Sequence, residues 1–85
     1  MDYENLQQLV QFTGIEPDQL SFGAAVDDAW CIQQTPEGAW EVFYYERGGK
    51  RNHWVFDSEE AACYYFFGLV AYNAVLSARL VRAAE

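Results

Sequence analysis

Eighty-five residues allow one domain, residues 1–85, and a domain this small hides only about 60–65% of the surface that its unfolded chain exposes. Hydrophobic residues at 52% and aromatic residues at 18% are more apolar material than such an interior consumes. The net charge of −8 repels phosphate backbones and anionic lipid, which argues against nucleic acid or membrane surfaces as targets and favours a basic protein.

Tyr3 to Phe12 carries Leu6, Leu9, Val10 and Phe12 at helical spacing, with Asp2 and Glu4 at the positive end of the helix and Gly14 as its stop. Ile15-Glu16-Pro17-Asp18 is a turn, because Pro17 blocks simple continuation. Gln19 to Val26 fits either a loop or a short strand, and Asp27-Asp28 reads as a charged turn. Ala29 to Thr35 is a strand, with Trp30 and Ile32 on one face and Cys31 and Gln33 on the other. Thr35-Pro36-Glu37-Gly38 has the proline-second, glycine-fourth pattern of a type I turn. Trp40 to Glu46 alternates again, Arg47-Gly48-Gly49-Lys50 breaks the pattern as a hairpin turn, and Asn52 to Phe56 resumes it.

Asp57 or Ser58 caps the last helix, Asp57 being the one that makes a capping box with Glu60. This helix runs from about Ser58 to about Val81, ~35 Å at 1.5 Å per residue. Ala62, Tyr65, Phe66, Leu69, Asn73, Leu76 and Leu80 form one stripe, and Cys63, Phe67, Val70, Ala74 and Val81 a second beside it. The expected fold is α+β: a three-stranded antiparallel meander packed with an N-terminal helix and a long C-terminal helix. Ala61 to Ala78 is free of charge and sits at the lower edge of a membrane span. Its three tyrosines, Asn73, Gly68 and Ser77 argue against one. Met1-Asp2-Tyr3-Glu4 starts acidic, without the basic segment of a signal peptide. A cytoplasmic setting with Cys31 and Cys63 reduced is therefore expected.

Charge is unevenly spread. Residues 1–46 hold nine acidic residues and no Lys or Arg, and the five basic residues are Arg47, Lys50, Arg51, Arg79 and Arg82. Catalytic patterns are missing. His53 is the lone histidine, a poor basis for a metal site. Gly48-Gly49 lacks the strand–loop–helix setting of a phosphate loop, and Asp27-Asp28 is not an EF-hand loop. A non-enzymatic protein with no metal and no cofactor is expected.

Two segments carry a resemblance: Trp40-x-Val42-x-Tyr44-x-Glu46-Arg47-Gly48, and Phe56-Asp57-Ser58-Glu59-Glu60-Ala61-x-Cys63-x-Tyr65-Phe66. Together they resemble the C-terminal signature of small immunity proteins encoded beside polymorphic toxins in bacteria, over roughly residues 29–69. The resemblance implies a protein that binds a cognate toxin, covers its active site and protects the producing cell. Acidic groups would steer association with a basic toxin, and buried aromatics would slow dissociation. The residues expected to face such a partner are Asp27, Asp28, Glu37, Glu41 and Glu46, with Phe43 and Tyr45 as exposed aromatics of the sheet. The alternative is a homodimeric adaptor or regulatory protein that self-associates through the C-terminal helix.

Overall fold

The computed structural model describes the backbone over residues 1–84 and the side chains over residues 1–76. Helix α1, Tyr3–Leu9, starts at Asp2, whose carboxylate accepts the Asn5 N–H at 2.8 Å. It tightens into a 3₁₀ turn, Val10–Thr13, and stops at Gly14, which takes the left-handed conformation (φ +80°) that lets a helix end without a Cβ clash. A second 3₁₀ turn, Pro17–Gln19, leads into β1, Leu20–Phe22. Strands β2, Ala29–Gln34, β3, Trp40–Glu46, and β4, Gly49–Phe56, follow, and α2, Glu59–Ala84, closes the chain.

The sheet has four strands in the order β1-β2-β3-β4. The α+β class stands, but the three-stranded antiparallel meander is corrected. β1 adds a fourth strand, parallel to β2, with Leu20, Ser21 and Phe22 opposite Trp30, Cys31 and Ile32. Its short connection, residues 23–28, turns back against one face of the sheet. There the Ser21 hydroxyl donates to the Ala24 carbonyl at 2.7 Å, and the Cys31 thiol approaches the Val26 carbonyl at 3.8 Å.

Both hairpins follow from turn chemistry. Between β2 and β3, the Gly38 N–H donates to the Thr35 carbonyl at 3.0 Å and the Ala39 N–H to the Thr35 hydroxyl at 3.1 Å. Between β3 and β4 the loop is Arg47-Gly48 alone, with φ of +51° and +74°. Positive φ at both positions is the handedness that matches the twist of paired strands.

One face of the sheet packs on the helices. Leu6, Val10, Ile32, Val42, Ala62, Cys63, Phe66 and Val70 are buried there, flanked by Tyr3, Phe22, Trp40 and Phe56. Ser58 caps α2, its hydroxyl accepting the Ala61 N–H at 3.1 Å, which corrects the expected Asp57 cap with Glu60 in a capping box. The expected stripe positions Leu80 and Val81 lie outside the described side chains. Glu59 accepts the Tyr3 N–H at 2.8 Å, tying the first turn of α2 to the start of α1. No helix among the described residues is long and apolar enough to cross a membrane.

Candidate partner-binding face

The sheet face turned away from the helices is built from alternate residues: Ala29, Cys31 and Gln33 on β2, then Tyr45, Phe43 and Glu41 opposite them on β3. On β4 the alternation is interrupted. Val42 pairs with Trp54, but Tyr44 pairs with Arg51, so one residue of β3 faces two of β4, Asn52 and His53. Asn52 takes φ +50°, a left-handed conformation that Asn accepts more readily than most residues. This bulge has a chemical consequence. Lys50 and His53 are three apart and would point to opposite faces of a regular strand. With the extra residue between them, both reach the same carboxylate.

That carboxylate belongs to Glu41, only 6% exposed. Its Oε1 accepts from Lys50 Nζ at 2.9 Å and lies 2.7 Å from His53 Nε2, while Oε2 accepts from Gln33 Nε2 at 2.8 Å. An ionised carboxylate only accepts, so the facing imidazole nitrogen carries the proton. Burial alone would raise the Glu41 pKa. The hydrogen bonds from Gln33, Lys50 and His53 and the Lys50 charge outweigh it and hold the carboxyl below its ordinary value.

Phe43 lies beneath this cluster. Its ring has the Lys50 ammonium 4.8 Å from the centroid and His53 edge-on at 5.8 Å. With Ala29 and Cys31 it forms a second small core, against which Tyr45 packs. The expectation that Phe43 stands exposed is corrected: it is fully buried, because the 23–28 connection and the Lys50 stem cover that face. Glu41 is likewise engaged inside the molecule rather than presented to solvent. Its partners Gln33, Lys50 and His53 were not singled out from the sequence as a group, since period-two spacing separates Lys50 from His53.

The remaining expected residues divide between the two ends of the sheet. Glu37 is exposed in the β2–β3 turn. Asp27, Asp28, Tyr45 and Glu46 gather at the opposite end. Asp27 accepts the Arg47 N–H at 3.0 Å, pinning the β3–β4 turn, and the Asp28 N–H donates to the Tyr45 carbonyl at 2.8 Å. Glu46 stands 4.0 Å from Arg51. The structure therefore brings four of the seven residues to one end of the sheet, where Arg47, Lys50 and Arg51 also lie, and leaves Glu37 apart. Of the exposed apolar side chains, Val26 lies beside Asp27, and the others lie elsewhere: Trp54 and Val55 on the edge strand β4, Tyr64, Tyr72 and Val75 on α2, Leu9 on α1, and Phe12, which is 87% exposed. Among the described residues no group of three or more His, Cys, Asp or Glu side chains is placed to hold a metal ion. No protein-family model matches the chain, and no curated protein or solved structure matches it with significance.

Proposed function

We propose that this chain is a cytoplasmic binding protein that captures a basic protein and covers its working surface, as an immunity protein does for its toxin. The observation that carries this reading is the net charge of −8, together with the sheet end where Asp27, Asp28 and Glu46 lie beside Tyr44 and Tyr45 while Lys50 and Arg51 are turned onto Glu41 and Glu46. Carboxylates at a rim with aromatic rings among them supply electrostatic steering and a desolvated anchor in one place.

The test is co-expression with the product of the adjacent upstream gene, followed by association kinetics at several salt concentrations. Capture should be tight, and the on-rate should fall as salt rises. Reversing Asp28 and Glu46 to Lys should lower the on-rate about tenfold or more. Indifference to both salt and charge reversal would remove Asp28 and Glu46 from the interface.

A second reading, a homodimer through α2, draws on one observation. Ala61, Tyr64, Gly68, Tyr72 and Val75 are all exposed and fall within one helical stripe that bears no charge. Sedimentation separates the two readings. A stable dimer that Tyr64→Glu and Val75→Glu both dissolve supports the adaptor, and a monomer at all concentrations discards it.

A further inference from the structure

At the Asp28 end of the sheet a cleft of about 240 Å³ opens between the sheet and the second half of α2, lined by Ile15, Gln19, Asp28, Trp30, Tyr44 and Asn73. Its walls combine three kinds of group. Trp30 and Tyr44 are cross-strand partners packed edge-on, with ring centroids 5.1 Å apart. Asn73 donates its amide N–H to the Leu69 carbonyl at 2.7 Å, which leaves its amide oxygen to accept. Asp28 sits in the left-handed conformation (φ +59°), its backbone fixed by the hydrogen bond to Tyr45. Its carboxylate lines the cleft and makes no ion pair or hydrogen bond among the described residues, so it is free to accept.

We infer that this cleft receives one arginine side chain of the protein partner, with its guanidinium against the Asp28 carboxylate and over the paired rings of Trp30 and Tyr44. The inference rests on the basic-partner reading for the source of that arginine, and on the cleft itself for the chemistry. A guanidinium is a flat cation with five donors, so it satisfies several acceptors while stacking on an aromatic face. The rounder, more strongly hydrated ammonium of lysine matches the rings less well. Burial first, and then Asp28, Glu46 and Asp27, raise the pKa of the Tyr44 phenol, so the ring meets a ligand as the neutral phenol. The chain's own Arg51, opposite Tyr44 on β4, turns instead towards Glu46.

The experiment is an NMR titration of the purified full-length chain with N-acetyl-arginine amide, read at the Trp30 indole N–H and at the Asn73 side-chain amide. The lysine and citrulline amides serve as comparators. Arginine should shift both signals, lysine should bind several-fold more weakly, and citrulline, the neutral isostere, should leave them in place. Asp28→Asn suits the left-handed backbone and removes only the charge, and it should weaken arginine binding about tenfold or more. Unmoved signals with arginine, equal binding of citrulline, or an Asp28→Asn chain that binds like the parent would each overturn the assignment. If no toxin is captured but arginine still fills the cleft, the partner reading falls and the cleft stands. If a toxin binds parent and Asp28→Asn alike while the cleft signals stay still, the cleft falls and the partner reading stands.

Discussion

Glu41 is a carboxylate held inside the molecule by three donors, and its replacement should show it. Glu41→Gln leaves Lys50 without its partner and should cost about 1–3 kcal/mol at neutral pH. The sign of the pH dependence follows from the lowered pKa. A carboxyl depressed below its unfolded value stabilises the fold fully above that value, about 4.3, and loses the contribution as pH falls through the folded pKa. Urea unfolding of parent and Glu41→Gln chains should therefore differ at pH 7 and converge as pH falls below the ordinary carboxyl range and through the lowered pKa of Glu41. A gap that does not change with pH would mean that the carboxylate charge is not the cause. Phe43 offers a second check at this scale. As a buried residue, Phe43→Ala should cost about 3–5 kcal/mol. A surface ring would cost about 0.5 kcal/mol or less. Alternation along β3 correctly put Glu41, Phe43 and Tyr45 on one face. Nothing in that period shows that the 23–28 connection covers the face, because the cover comes from a segment distant in sequence.

At the scale of elements, the bulge in β4 decides which residues meet. Asn52→Gly should be tolerated, since glycine takes positive φ freely. Asn52→Val forces a β-branched residue into a left-handed backbone and should cost about 1–3 kcal/mol. It should also move the His53 ring signals in an NMR spectrum as that ring loses its seat on Glu41. An Asn52→Val chain as stable as the parent, with His53 unmoved, would show that the bulge does not set the cluster. Three strands, both hairpin turns and both helices were legible, because each rests on local periodicity or on turn residues such as Pro36 and Gly48. Two features were not. β1 is three residues long and exists only through parallel pairing with β2, so no local pattern announces it. Asn52 reads as an ordinary strand residue until its φ is known.

For the whole molecule, charge and apolar surface occupy different places. The carboxylates of one sheet end are set apart from the charge-free stripe of α2, so the two surfaces can be tested separately. Adding salt should slow capture of a basic partner by this chain of net charge −8. The same salt should leave self-association along α2 unchanged or stronger, because it screens repulsion between two copies that each carry −8. Analytical sedimentation and stopped-flow binding at matched ionic strengths would read the two responses. Opposite trends are expected if both surfaces are used. The net charge was legible from composition, but the meeting of Asp27 and Asp28 with Glu46 was not, since it comes only through the pairing of β2 with β3.

The two thiols stand on opposite sides of the sheet, Cys63 beneath the helices and Cys31 beneath the 23–28 connection. Burial raises both pKa values, that of Cys63 to about 11 with Glu59 adding to the effect, so neither reacts quickly while covered. Each cysteine thus works as a built-in clock for a different motion. Alkylation at Cys31 times the lifting of the 23–28 flap, and alkylation at Cys63 times the separation of the two layers. A partner clamped over the flap end would stop the first clock and leave the second running.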